Sequence, residues 1–95
     1  MNKLLKKYYK EKEESYVTEY FKLKKYSKKY DELLDIDMKR QFHTGEINVG
    51  YREYLMTMIA QFELGKEQTL EKINHYRKKL GLSLLTDKSF ITVYY

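Results

Sequence analysis

The strongest candidates for a functional contact are the lysines near the start of the chain. Ten of the first thirty residues are lysine and four are glutamate, so this segment carries +6, whereas the remaining residues have nine Lys/Arg against ten Asp/Glu. A dense run of one charge attracts an oppositely charged ligand, which makes contact with phosphate groups the first chemistry to consider. Wound on a helix at about 100° per residue, seven of these lysines share one face. They are Lys3, Lys6, Lys7, Lys10, Lys24, Lys25 and Lys28.

Two further features could join such a nucleic-acid contact. Phe21 falls among the lysines, where its ring could stack on an unpaired base. A second basic group, nearer the end of the chain, consists of Lys72, His75, Lys78 and Lys79. A plainer interpretation stays open, in which the lysine face is only a solvated helix surface, partly neutralised by nearby glutamates. The absence of arginine from the first thirty residues favours it, because arginine is the better bidentate partner for phosphate.

Residues that could carry catalysis or bind a metal are few. His43 and His75 are far apart in the sequence, and no cysteine or tight carboxylate spacing joins them. Asp31 and Asp35 could share one side of a helix, but magnesium chemistry usually needs a third ligand and a pocket. No phosphate-cradling glycine loop or dinucleotide fingerprint occurs. We therefore expect a protein that is not an enzyme and has no catalytic residue, cofactor or metal site.

A second pattern that could bind DNA lies between residues 55 and 80. Ile59-Ala60 is followed nine residues later by Thr69-Leu70 and then by a basic stretch over 77–80. In outline this resembles the helix–turn–helix of sigma-factor region 4 and related regulators. The resemblance implies that a helix beginning at Thr69 would enter the major groove. It departs from the family at the turn, where the glycine, Gly65, comes one residue late.

The lysines and tyrosines of the first half are predicted to lie on one helix over residues 3–38. Its apolar stripe consists of Leu5, Tyr9, Tyr16, Tyr20, Leu23, Tyr30 and Leu34. Val17 and Phe21 fall outside this stripe, among the lysines. A continuous helix through Phe42 would be roughly 60 Å long, more than a compact chain of this size spans, so it either projects or breaks. Asp31 is the best point for a break, because aspartate can cap a new first turn.

The second half of the chain predicts shorter elements. Residues 46–49 alternate between polar and apolar and fit a brief strand. Helical spacing covers 51–64 and 67–80, with Gly65 as the cap between these two helices. Residues 90–95 have the strongest β preference and would pair with 46–49. The predicted fold class is therefore mostly α (α+β): a long N-terminal amphipathic helix, two shorter helices and a small C-terminal β element.

Length and composition limit the class of protein. The 95 residues, with 42% hydrophobic and 16% aromatic side chains, suffice for a single domain over 1–95. Within it we expect the long helix over 1–42 and a helical hairpin with the strand over 46–95. The chain has no cysteine and hence no disulfide framework. Its basic start imitates a signal peptide, but no apolar run follows, which favours a cytoplasmic protein without a membrane span.

Three classes of function fit these features. The leading hypothesis is a small accessory or regulatory protein of a phage or plasmid that binds nucleic acid through its lysine face, since the Lys, Tyr, Ile and Asn bias is typical of AT-rich genomes. The alternative is a phage-type, anti-CRISPR-like inhibitor that docks on a host nucleic-acid-handling protein. Its acidic residues 31–37 would then imitate phosphates, or its tyrosines would form the hot spot. The third is a coiled-coil homodimer or scaffold, because a long tyrosine stripe needs a facing surface.

Overall fold

The computed structural model describes residues 2–94, and it describes the side chains of residues 2–90. Two long helices dominate it: α1 spans Lys3–Thr44 and α2 spans Val49–Lys79. A short helix, α3, follows over Asp87–Tyr94. No strand occurs among residues 2–94. The predicted helical fold class is therefore confirmed, whereas its β component is not found.

α1 and α2 are antiparallel and form a hairpin through the connection 45–48. Gly45 ends α1 with φ 73°, a left-handed conformation that costs glycine little, and its N–H donates to the Gln41 carbonyl at 2.7 Å. Asn48 then begins α2, because its side chain accepts a hydrogen bond from the Tyr51 N–H. The result is an elongated molecule of 63 × 23 × 14 Å.

The two helices pack along a heptad seam. Buried and half-buried residues recur at alternating steps of three and four, from Glu13 to Gln41 on α1 and from Arg52 to Leu80 on α2. This repeat of 3.5 residues is that of a coiled coil. The predicted tyrosine stripe lies in the seam from Tyr9 to Leu34. Leu5 belongs to the same stripe but is 44% exposed, because α2 ends before it is level with this residue. Rings from the two helices meet there: the centroids of Tyr16 and Tyr76 are 6.0 Å apart, and those of Tyr30 and Phe62 are 5.3 Å apart.

Polar contacts cross the seam near both of its ends and at its middle. Glu13 contacts Arg77 at 3.4 Å. Ser27 donates to Glu63 at 2.7 Å, and Arg52 donates to Asp37 at 3.0 Å. A shift of one helix by a heptad would leave buried charges without these partners, so the contacts favour a single register.

Of the two alternatives for the long helix, projection or a break, the break at Asp31 does not occur, because α1 is continuous through this residue. The prediction assumed a compact body beside which a 60 Å helix would have to project. α2 instead accompanies α1 almost to its end: Leu34 is half-buried and Asp37 is bonded to Arg52 beyond the supposed break. Packing of each further turn thus outweighs the capping preference of one aspartate.

The two shorter helices predicted over 51–64 and 67–80 are also wrong, because α2 runs through both. Gly65 lies inside this helix. A Cβ atom built on Gly65 would lie 3.3 Å from Cδ1 of Leu23 on α1, so the glycine leaves room for the Leu23 side chain and does not end a helix. Without a turn at this point, residues 55–80 do not form a helix–turn–helix, and the resemblance to sigma-factor region 4 does not extend to the fold.

The predicted strand is replaced by helix over residues 90–94, while position 95 lies outside the described residues. Thr86 and Ser89 start α3 by bonding reciprocally: the Ser89 hydroxyl accepts from the Thr86 N–H at 2.7 Å, and the Thr86 hydroxyl accepts from the Ser89 N–H at 3.3 Å. The proposed partner strand 46–49 is the hairpin connection and the first residue of α2. Capping and packing therefore override the β preference of the sequence.

The centre of the apolar core lies where α3 meets the hairpin. Tyr20 of α1, Ile73 of α2 and Phe90 of α3 are at most 1% exposed, and Leu85 joins them from the connection. Val17 and Phe21 pack against this cluster as well. Their position off the seam is thus explained, because they pack against the cluster that Leu85 and Phe90 complete. No helix in the described part of the chain is long and apolar enough to cross a membrane.

Candidate nucleic-acid interface

Lysines at the start of α1 and at the end of α2 lie at the same end of the hairpin. α1 begins there and α2 ends there, because the chain pairs Glu13 with Arg77. A groove at this end is lined by side chains of both regions, including Lys6 and Leu80. The exposed lysines of this end, which we call the basic end, are Lys3, Lys6, Lys7, Lys10, Lys78 and Lys79.

A buried ion pair positions the basic end. Glu13 and Arg77 are only 6% and 7% exposed. The Arg77 guanidinium donates to the Glu13 carboxylate at 3.4 Å and, through Nε, to the carbonyl of Ser83 at 2.7 Å. One arginine thereby ties the first third of α1, the last turn of α2 and the connection to α3 together. The neighbouring lysines are therefore carried by helix ends whose relative position this arginine stabilises.

An aromatic ring accompanies these lysines. Tyr8 is 48% exposed, and Lys12 Nζ lies 5.7 Å from its ring centroid. Leu4 and Leu5 are exposed on the same turns. The sequence pattern does not single out Tyr8 for binding, because it lies beside the apolar stripe. The exposure of Tyr8 follows from the length of α2, which ends at Lys79 and does not cover the first turns of α1.

The other predicted lysines of α1 belong to a different place. Lys24, Lys25 and Lys28 line an open groove together with Phe21. Lys24 follows Lys10 by about 20 Å along the helix at 1.5 Å per residue, so the lysine face is divided in two. Phe21 is half-buried, with its ring centroid 5.0 Å from that of Phe90. The ring predicted to stack on a base is therefore used to hold α3.

The predicted basic residues of α2 extend the basic end along that helix. Lys72 and Lys79 are one heptad apart, and both are exposed. Lys72 Nζ lies 5.3 Å from the ring centroid of Tyr16, and the His75 ring lies against Tyr76 at 5.1 Å. His75 is exposed and is not brought near the other histidine: His43 lies near the opposite end, about 40 Å away along the seam. Among the described residues no group of three or more His, Cys, Asp or Glu could hold a metal ion.

Charge is distributed unequally along the hairpin. Residues 31–60, which we call the tip, contain six Asp/Glu and three Lys/Arg, a net charge of −3. The rest of the chain contains eight Asp/Glu and sixteen Lys/Arg, a net charge of +8. Because the hairpin is antiparallel, the sequence asymmetry becomes an asymmetry between two ends of a rod.

Two of the acids in the segment 31–37 already have basic partners. Asp37 is 3% exposed and accepts hydrogen bonds from Arg40 and from Arg52. The hydrogen bond from Arg40 is the main cause that holds the pKa of Asp37 below its ordinary value, and it outweighs desolvation. Asp35 lies 2.9 Å from Lys39 in an exposed pair. These carboxylates serve the hairpin itself, which leaves fewer of them to imitate phosphates.

A small cavity beside the core is the remaining polar feature. It measures about 130 Å³ and is lined by Tyr20, Glu63, Lys66, Glu67, Leu70 and Asp87. The Tyr20 hydroxyl is buried there and has no hydrogen-bond partner among the described residues. The hydrogen bond from Ser27 holds the pKa of Glu63 below its ordinary value, so this carboxyl stays charged beside Lys66. The cavity is large enough for a few water molecules.

Comparison with known proteins adds no family to these observations. No protein-family model, curated protein or solved structure matches this chain.

Proposed function

We propose that the protein binds nucleic acid through its basic end, in a role that involves no catalysis. The observation that carries the proposal is the convergence of exposed lysines from opposite ends of the sequence on one end of the hairpin. A separate basic start and basic finish would each attract phosphates weakly. At the end of the hairpin that the Glu13–Arg77 pair marks, they together raise the positive charge of one region, on the part of the chain that carries +8.

The chemistry of the basic end favours contact with the sugar–phosphate backbone. Lysine acts as a point charge on a flexible stem, which neutralises phosphates but reads no base sequence. Tyr8 adds an exposed ring that can stack on an unpaired base. We therefore expect binding that is largely independent of sequence, falls steeply with salt, and is stronger for single strands than for duplexes of equal length.

The direct test is fluorescence anisotropy with labelled single-stranded and duplex oligonucleotides between about 50 and 200 mM salt. The double variant Lys6→Gln/Lys78→Gln removes one lysine from each helix at the basic end. For a duplex we expect its affinity to fall and the slope of log K against log salt to become shallower by about 2, since each phosphate contact contributes about 0.9.

A matched control has the same loss of charge elsewhere. Lys22 and Lys29 are exposed on α1 but lie outside the basic end. The variant Lys22→Gln/Lys29→Gln should keep nearly the slope of the unchanged protein, because these lysines make no phosphate contact. Equal effects of the two variants would show a general charge effect and overturn the assignment of the site. No binding of either oligonucleotide at the lowest salt would overturn the proposed function.

A further inference from the structure

α3 covers only one half of the face on which it lies. Val17 and Phe21 of α1 and Leu70 of α2 pack against the cluster that contains Phe90 of α3. We call the side of the hairpin that bears these three residues the α3 face. Because the seam follows a repeat of 3.5 residues, positions that differ by whole heptads lie on the same face along the hairpin.

At the tip, the positions equivalent to those beneath α3 are again apolar. On α1, Met38 and Phe42 come three heptads after Val17 and Phe21. On α2, Val49 comes three heptads before Leu70. These three tip residues are 54%, 87% and 60% exposed, and Met56, one heptad after Val49, is 56% exposed. The same surface that holds α3 in one half of the molecule is thus repeated in the other half, where no described residue covers it.

Between the two apolar positions, the same stripe of α1 is charged in a particular order. One heptad after Val17 and Phe21 come Lys24 and Lys28, and one heptad later come Asp31 and Asp35. The groove lined by Phe21, Lys24, Lys25 and Lys28 places these lysines on the α3 face. Between Phe21 and Met38, the heptad positions of Val17 and Phe21 therefore carry two positive charges followed by two negative charges.

This order is complementary to itself when two copies are antiparallel. If the α3 faces of two copies meet around a twofold axis between Lys28 and Asp31, each lysine faces an aspartate: Lys24 faces Asp35, and Lys28 faces Asp31. The same arrangement brings Met38 and Phe42 of each copy opposite the half of the other copy that is covered by α3. In each half of the dimer, the α3 of one copy then lies against the tip of the other copy, which has no helix of its own on this face.

We propose that the α3 face is a dimer interface and that its occupant is a second, antiparallel copy of this chain. Three independent features support this occupant. The stripe of charges is self-complementary, the exposed apolar set repeats the positions that hold α3, and antiparallel copies bring a tip of net −3 beside a half of net positive charge. Asp35 exchanges its exposed pair with Lys39 at little cost, since such pairs contribute little. The proposal does not depend on nucleic-acid binding.

Charge reversal tests the pairing directly by sedimentation equilibrium over about a hundredfold range of protein concentration. The unchanged protein should reach the mass of a dimer as its concentration rises. Lys24→Asp/Lys28→Asp leaves four aspartates in this part of the α3 face of each copy, so we expect the dissociation constant to rise by about tenfold or more. Adding Asp31→Lys/Asp35→Lys to it inverts the order of the charges, which is again self-complementary, and should restore the dimer.

The control is Lys22→Asp/Lys29→Asp, which changes the charge equally on exposed positions away from the α3 face. It should dimerise nearly as the unchanged protein does. Circular dichroism checks that each variant remains helical. A monomer at every concentration overturns the proposal and leaves the tip to a different partner, and failure of the fourfold variant to restore the dimer overturns the pairing of the charges.

Disulfide trapping tests the orientation, because the chain has no cysteine of its own. Ala60 lies two heptads before Asn74, whose side chain bonds to the backbone of Leu85, so Ala60 is on the α3 face. The contact of Ser27 with Glu63 puts Ala60 level with the proposed axis. Ala60→Cys should therefore link two copies, whereas the two cysteines of Val49→Cys should be about 35 Å apart and remain unlinked. Linking by Val49→Cys but not by Ala60→Cys would overturn the antiparallel arrangement.

Discussion

The two ends of the hairpin share one seam but differ in what covers the outer faces of their helices. The half near the basic end has α3 over Val17 and Phe21, and its core is closed by Phe90. The tip has Leu55 fully buried, and the equivalent apolar positions, such as Phe42, remain exposed. A heptad seam alone thus specifies how two helices pair, whereas a third element or a second chain is needed to exclude water from their outer faces.

Removing the ring at the centre of the covered half should have the largest effect. Phe90 is 0% exposed, and its centroid lies 4.1 Å from that of Tyr20. Phe90→Ala should lower the free energy of unfolding by about 4 kcal/mol, because it leaves a cavity and loosens α3. Urea denaturation measures the change. A loss well below 1 kcal/mol would show that α3 contributes little, and the contrast between the two halves would disappear.

The polar contacts at the two ends of the seam should differ as well. Arg77→Ala removes a charged partner of the buried Glu13 and the bond to Ser83, so we expect a loss of about 3 kcal/mol in urea denaturation. Arg52→Ala should cost less, because Asp37 keeps its hydrogen bond from Arg40. Equal losses of stability in the two variants would contradict this difference, in which Arg77 alone links three segments at the basic end whereas two arginines bond to Asp37 at the tip.

Two phenylalanines in equivalent heptad positions allow the sharpest comparison of the halves. Phe21→Ala should cost about 2 kcal/mol at any protein concentration, since the ring packs on Phe90 within one chain. Phe42→Ala should cost almost nothing in dilute protein, because this side chain is 87% exposed. Its loss should appear only as concentration rises and the tip becomes covered. A concentration-independent loss at Phe42 would mean that the ring stabilises the single chain.

The sequence predicts the seam of this fold better than its interruptions. The stripe from Tyr9 to Leu34 can be recognised from its regular spacing, because each of its residues lies on the same buried face of one helix. The breaks assigned to Asp31 and Gly65 failed for a common reason. A single residue with a preference for caps or turns is judged alone in the sequence, whereas in the fold every adjoining turn gains a packing partner on the other helix.

The candidate site was predictable in its residues but not in its grouping. The lysines before position 11 and those at 78 and 79 are recognisable from composition. Only the antiparallel pairing, reported by Glu13 and Arg77, shows that they lie at the same end of the hairpin and that Lys24 and Lys28 lie farther along it. Phe21 illustrates the limit of a helical wheel, which separates seam from solvent but does not anticipate a third helix that lies on the outer face.

Acid should affect the two halves unequally, and this is the smallest effect that we expect. The hydrogen bond from Arg40 holds the pKa of Asp37 below its ordinary value, so this carboxylate stabilises the folded state above that value. Its contribution is lost as the pH falls from about 4 through the lowered pKa of the folded state. Urea denaturation from pH 6 to pH 3 should therefore show a decline in stability that is shallower in Asp37→Asn below pH 4, because the variant has no carboxyl to protonate.

Glu63, which accepts a hydrogen bond from Ser27 at the middle of the seam, makes a similar contribution. Its pKa is lowered mainly by the hydrogen bond from Ser27, so its stabilisation is also lost on acidification. Ser27→Ala should remove that part of the decline, while a change at the basic end, such as Lys6→Gln, should leave the profile between pH 6 and pH 3 unaltered. If Lys6→Gln altered the profile as much as Asp37→Asn, the acid sensitivity would arise from net charge and not from the bonded carboxylates of the seam. Acid would then weaken both halves alike, and the difference between them would rest on α3 alone.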